Sequence, residues 1–219
     1  MSVWGVAMPD FLTDGPEDGK AALLLAHGAG AGMESSFMVQ MTGLLAERGV
    51  RTLRFEFAYM AARPDGGKRR PPPKADLLTG EYKAAIAAAS AVMRKARLGI
   101  GGKSMGGRVA SYVADELFSA GDVAALVCIG YPFHPPNKPA QLRTAHLEHL
   151  RCPALIVQGE RDPFGGKDEI ARYKLARGIR WHWASDGDHD LGPRGASGFT
   201  RKGNLAAAAD AVAAFLLEG

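Results

Sequence analysis

Three residue types that cooperate in nucleophilic acyl chemistry stand in order along this chain: Ser104, Asp162 and His189. The serine lies in GIGGKSMGG (99–107), a stretch with two incompatible readings. Its GGKS ending matches the close of a phosphate-binding loop and would make Lys103 the working residue. Its GKSMG core fits G-x-S-x-G and would make it Ser104. A phosphate loop requires G-x-x-x-x-G-K-[ST], and the position that needs the first glycine holds Arg97. Two strand–helix units also precede the motif, whereas a phosphate loop ordinarily follows the first strand of its domain. G-x-S-x-G, by contrast, uses every small residue here. A serine on a strained strand-to-helix turn needs small neighbours two positions either side, and Gly102 and Gly106 supply them. Gly107 lets the following helix approach the sheet.

Serine is a weak nucleophile until a base takes its proton, and that base needs an orienting carboxylate. On an elbow-type scaffold the chain order is Ser, Asp or Glu, then His, each after a strand. In ALIVQGERDPFGG a buried strand runs into a turn carrying Asp162. Glu160 is its rival but lies nearer the strand end, where loop bracing or surface exposure is the better reading. Of six histidines, His189 follows the last strand and precedes the last helix. His182 sits between Trp181 and Trp183 inside a strand, which suits packing, while His134, His146 and His149 precede the aspartate. Asp186, Asp188 and Asp190 beside His189 read as turn formers or solvated charge. The oxyanion donors are expected to be the backbone N–H groups of Met105, at the helix start, and Ala29, in LLLAHGAGAGM. His27 at that turn is expected to brace the loop and is kept among the substrate-binding candidates.

These residues need a scaffold of strand ends, and the sequence supplies one. Apolar runs at 21–27, 50–57, 98–103, 123–130, 154–159 and 179–184 read as strands, several without polar alternation, as expected for strands buried on both faces. Helical spacing occurs around Phe37, Met41, Leu44 and Leu45, over 79–97, 105–118, near 144–149, and over 167–177 and 203–217. Such alternation predicts an α/β domain, a mostly parallel central sheet flanked by helices on both faces, in one domain spanning 1–219.

The composition agrees. A chain of 219 residues, 47% of them hydrophobic, can bury a core without covalent staples. Its two cysteines, Cys128 and Cys152, form no metal-like cluster and read as reduced thiols. No run approaches the ~20 apolar residues that span a bilayer, and MSVWGVAMPDF lacks the basic start of a leader, so a soluble cytoplasmic protein is expected. Much of the local excess behind the net charge of +4 lies in RPDGGKRRPPPK (63–74). A basic loop of this kind ordinarily means a solvated surface, and no aromatic-interleaved or zinc-finger pattern argues for nucleic acid. Neither a metal nor a cofactor is expected, and no membrane partner.

Together the motifs AHGAGAGM, GKSMG, GERD and GDHDL resemble those of the α/β-hydrolase superfamily over essentially the whole chain. RFEFAYM, GKRRPP, GYPFHPP and LRCPALIVQGERDPFG are similar to a narrower group of small lidless predicted hydrolases. That group includes a testis-expressed protein and, more distantly, a scaffold subunit of a histone-acetyltransferase complex; dienelactone hydrolases are a neighbouring branch. The resemblance implies an α/β-hydrolase fold and a Ser104–Asp162–His189 triad. Dienelactone hydrolases use a cysteine nucleophile, so their specific activity is not implied.

Only residues 131–150 occupy the interval where larger hydrolases insert a helical cap, so no cap domain is expected. The pocket should be open, with Tyr131, Phe133 and His134 forming one wall. Glu56, Arg63, Lys68, Arg69 and Arg70 follow a strand expected to neighbour the nucleophile's strand. They are read either as an ion-pair network pinning a long loop or, at Arg63 and Arg70, as recognition of an anionic substrate group. Lys103 is expected to pair with Glu56. The function these readings favour is a serine hydrolase acting through an acyl-enzyme on a small ester, thioester or amide. The competing class is a non-catalytic interaction or scaffold module.

Overall fold

Every residue of β2 (Ala21–Ala26, AALLLA) is buried, because this strand pairs on both edges and is covered on both faces. Around it, the computed structural model, which describes residues 10–62, 71–93 and 96–218, builds a seven-stranded sheet. The strands are β1 (Leu12–Asp14), β2, β3 (Val50–Phe55), β4 (Arg97–Lys103), β5 (Ala125–Ile129), β6 (Ala154–Gly159) and β7 (Ile179–Ala184). Their spatial order is β1-β3-β2-β4-β5-β6-β7, parallel throughout except for β1, which runs antiparallel to β3. β4 is therefore central, and its C-terminal end opens between the ends of β2 and β5. Ligand sites of open parallel sheets lie at such strand ends.

Helices α1 (Ser36–Ala46) and α6 (Arg201–Leu217) cover one face. Helices α3 (Thr79–Val92) and α4 (Met105–Ala120) cover the other. Leu23, Leu25, Val127 and Val157 point to the α1/α6 side, while Leu24, Ile100, Leu126 and Ile156 point to the α3/α4 side. This alternation along strands buried on both faces explains why their sequences carry almost no polar residues. A glycine-rich β4 follows from the same crowding. A Cβ at Gly99 would meet Leu216 of α6 at 2.8 Å, and the Tyr82 hydroxyl of α3 donates to the Gly101 carbonyl at 2.6 Å.

Three expectations change. β3 pairs with β1 and β2, so it does not neighbour β4. The helix expected over 79–97 ends at Val92, and Arg97 already belongs to β4, donating its N–H to the Lys20 carbonyl. The helix expected over 167–177 shrinks to α5 (Lys167–Ile170), because the N–H of Ala176 bonds the Leu147 carbonyl instead of a helical partner. A short α2 (Ala58–Ala61) and the edge strand β1 had no clear periodic signal. Residues 131–150 contain only a single 3-10 turn (Ala145–Leu147), so no cap domain is built there. No helix among the described residues is long and apolar enough to cross a membrane.

Candidate active site

β4 delivers Ser104 and α4 leaves from it at once. The turn between them forces Ser104 to φ 52°, ψ −114°, a conformation that L-residues rarely adopt. Its N–H is held by the Ile129 carbonyl at 2.8 Å. The turn survives because its flanks carry no Cβ. One at Gly102 would sit 2.5 Å from the Ala26 carbonyl oxygen and 2.7 Å from the Gly107 nitrogen. One at Gly106 would lie 2.6 Å from the His27 carbonyl oxygen and nearer still to that of Ala26. Both glycines let α4 start against the end of β2.

Two loops bring the other groups to this turn. Ser104 Oγ lies 2.9 Å from His189 Nε2, and His189 Nδ1 lies 2.8 Å from Asp162 Oδ2. The Asp162 side chain is fully buried. It is surrounded by donors: the Gln158 amide at 3.0 Å on Oδ2 and the Phe164 N–H at 2.8 Å on Oδ1. Asp162 accepts a hydrogen bond from Nδ1–H, which fixes the tautomer and leaves the Nε2 lone pair to accept from the Ser104 O–H.

The His189 loop is held from below by Lys103, whose ammonium donates to the His189 carbonyl at 2.9 Å and pairs with Asp190 at 3.1 Å. The expected Lys103–Glu56 pair is corrected. Lys103 points past β5 toward the loop after β7, whereas Glu56 accepts the Met33 N–H at 3.0 Å. Burial pushes the Lys103 ammonium toward losing its proton, and Asp190 opposes that shift. Asp186 anchors the same loop through Arg161 (2.8 Å) and the Arg194 N–H (2.8 Å), and Asp188 Oδ1 caps the turn by accepting from Asp190 and Gly192. Asp190 is therefore an ion-pair partner as well as a loop residue. Glu160 braces, as expected, bonding Lys167 and the Asp186 N–H.

The domain profile of the α/β hydrolases matches residues 19–217. The chain belongs to the α/β-hydrolase family. Solved structures agree on the fold of this hydrolase. A dienelactone hydrolase from Anabaena variabilis superposes with a TM-score of 0.74 at 22% identity, covering 99% of this chain and 94% of that one. A lidless α/β serine hydrolase from Xanthomonas campestris gives 0.59 at 18% identity, covering 84% and 81%. An esterase from Pyrococcus furiosus gives 0.68 at 14% identity, covering 96% and 92%.

Ser104 of this α/β hydrolase opens on two clefts. One, of about 520 Å3, is bordered by Phe37, Met38, Phe164, Arg201 and His189. The other, of about 700 Å3, is bordered by Met105, Arg108, Tyr112, Arg143, Pro132 and Pro136, and by the segment Pro72 to Asp76. Ala29 borders both. Met105, as the first residue of α4, has an N–H without an intrahelical partner at the positive end of the helix dipole.

The expected wall of Tyr131, Phe133 and His134 is corrected. Tyr131 and Phe133 are fully buried, with tilted ring contacts to each other and from Phe133 to Tyr173, and Phe133 stacks on Trp181. His134 is buried 3.1 Å from Glu169. The Phe133 N–H donates to the Tyr131 carbonyl at 3.1 Å, a three-residue turn centred on Pro132 that leaves Pro132 on the cleft while both flanking aromatics face the core. His27 is also fully buried. Its Nδ1 donates to the Gly28 carbonyl at 2.7 Å and its Nε2 accepts the Phe57 N–H at 3.2 Å, so it braces the loop and does not line either cleft. Arg63 and Arg70, with Lys68 and Arg69, lie outside the described residues.

Sequence reasoning missed Gln158, Arg108 and Arg143. Gln158 is a fully buried polar residue in an otherwise apolar strand, which is a readable signal. The two arginines carried none, because an arginine on a helix or loop ordinarily means surface.

Proposed function

We propose that this α/β hydrolase is a serine hydrolase that cleaves a small ester, thioester or amide through an acyl-enzyme. The observation that carries the proposal is the continuous hydrogen-bond chain from Ser104 Oγ through His189 to the buried Asp162. Its three members come from three separate loops, and a strained serine marks one end.

In this reading His189 Nε2 takes the Ser104 proton as Oγ bonds the substrate carbonyl carbon. Asp162 orients the imidazole and stabilises the imidazolium without accepting the proton. The Met105 and Ala29 N–H groups hold the oxyanion. Collapse breaks the bond to the leaving group, which departs with the proton from Nε2. Water then repeats the sequence on the acyl-enzyme, giving its proton to Nε2, and Ser104 leaves with that proton restored. Gln158 and Lys103 act through their neighbours, one holding Asp162 and the other the His189 loop. The chain works as one domain on a small acyl substrate, and its free thiols suit a reducing compartment such as the cytoplasm.

Steady-state hydrolysis of 4-nitrophenyl acetate tests this. The expected result is a burst of one nitrophenol per chain followed by slower turnover, lost in S104A. Folded wild-type protein with neither burst nor turnover on an ester, thioester and amide panel would favour a scaffold role.

A further inference from the structure

The two clefts beside Ser104 differ in which catalytic partner borders them and in their guanidinium groups, Arg201 alone on the smaller and Arg108 with Arg143 on the larger. His189 borders the smaller one. The group that protonates the leaving atom must reach it, so the leaving group occupies that side and the acyl chain the other. On the acyl side stand two guanidinium groups without a carboxylate partner among the described residues. Arg108, on the first turn of α4, donates to the Tyr112 hydroxyl through Nε at 2.9 Å and Nη2 at 2.6 Å, a neutral acceptor. Arg143 makes no side-chain hydrogen bond or ion pair among the described residues, yet its backbone is fixed. Its N–H donates to the Phe133 carbonyl at 2.8 Å and its carbonyl accepts the Tyr131 hydroxyl at 3.0 Å. The buried aromatics thus anchor an arginine that faces the cleft.

Resting on the serine-hydrolase reading, we infer that the acyl chain of the substrate ends in a carboxylate held jointly by Arg108 and Arg143. Two like charges facing one cavity are costly until an anion joins them, and a guanidinium fork suits a carboxylate. Burial together with Arg108 depresses His146 to about 4 and so holds it neutral, and burial together with Arg108 weakens the hold of Arg143 on its proton. The other charges among the described lining residues, Lys74 and Asp76, are of opposite sign. With a helical rise of about 1.5 Å per residue, Arg108 and Tyr112 are rooted roughly 6 and 12 Å beyond Ser104 along α4. That spacing suits an acyl chain of several methylenes between the scissile carbonyl and the carboxylate.

The test compares monobenzyl esters of glutarate and adipate with benzyl pentanoate and hexanoate, and with 4-carboxybenzyl hexanoate, whose charge lies on the leaving side. The half-esters are expected to exceed the neutral esters in kcat/KM by at least about tenfold, the yield of a charge-assisted hydrogen bond. The carboxybenzyl ester gains nothing. R108Q and R143Q each erase most of that ratio through KM, and R143K keeps an intermediate ratio, showing that fold loss is not the cause. R180Q, on β7 away from both clefts, leaves it unchanged. A wild-type ratio near one, a ratio that survives R143Q and R108Q, or a preference for the carboxybenzyl ester overturns the inference while leaving the hydrolase reading intact. If no ester is cleaved, the hydrolase reading fails separately, and calorimetric titration of glutarate into S104A decides the cleft. Binding that R143Q abolishes upholds the arginine site, and no binding refutes it.

Discussion

The serine turn and the histidine loop meet at one hydrogen bond and are built by opposite means. The serine turn is shaped by exclusion: Gly102 and Gly106 sit where any Cβ would strike the carbonyls at the end of β2. The histidine loop is shaped by attraction, through Lys103 on its backbone, Asp186 between two arginines, Asp188 capping the turn, and Asn204 of α6 bonding the Ser185 and Leu191 carbonyls at 2.9 Å each. A steric turn has no graded failure, because backbone atoms cannot yield by the required distance. A polar loop can lose one contact and keep the rest. Damage should therefore be abrupt on the serine side and graded on the histidine side.

The largest loss lies at the junction itself. D162N, which leaves His189 in the wrong tautomer, should lower kcat/KM by about 10³–10⁴-fold with the fold intact by circular dichroism. A loss under tenfold would remove Asp162 from its role. Next, G106A should destabilise the chain by about 1–3 kcal/mol in urea unfolding and abolish burst kinetics, since a Cβ there meets backbone rather than movable side chains. A G106A protein of normal stability and activity would show the turn to be compliant.

K103M sharpens the contrast from the other side. It removes a buried charge while leaving Asp190 largely exposed to water, so thermal stability should hardly change. The His189 backbone loses its anchor, and kcat should fall by about tenfold. A large fall in melting temperature with unchanged kcat would make Lys103 purely structural. The smallest effect belongs to R194Q at the surface. The Arg194 hydrogen bonds, then Arg161, hold the Asp186 carboxyl well below its ordinary 3.8. Because the folded carboxyl is the stronger acid, its contribution is present above about pH 4 and fades as pH falls further. R194Q should therefore narrow the stability gap to wild type as pH drops from 6 to 3, with little change in kcat at neutral pH. A gap that widens on acidification would contradict that assignment.

This contrast also decides what could be read from the sequence. Steric requirements leave local signatures, so G-x-S-x-G after an apolar strand announced the turn, and the order Ser, Asp, His placed its partners. Attractive networks draw on distant residues of ordinary type. Nothing near Lys103 in the chain points to Asp190, and proximity favoured Glu56 only if β3 and β4 were neighbours, which the strand order denies. Tyr131 and Phe133 were misread for a related reason. Aromatics after a strand end look like a pocket wall, but the tight turn at Pro132 sends both rings into the core and leaves Pro132 on the cleft. The strands themselves were legible because burial on both faces removes polar residues. The short helix α5 was not, because a tertiary hydrogen bond from Ala176 to Leu147 overrode a plausible helical pattern.

The claim on which the rest depends is that Ser104 is an activated nucleophile. Labelling with a fluorophosphonate, followed by mass spectrometry of the modified peptide, tests it directly. The account predicts stoichiometric modification of folded wild-type protein at Ser104, slowed by orders of magnitude in D162N and absent in S104A. Unlabelled folded wild-type protein, or a label that persists in S104A, would contradict it.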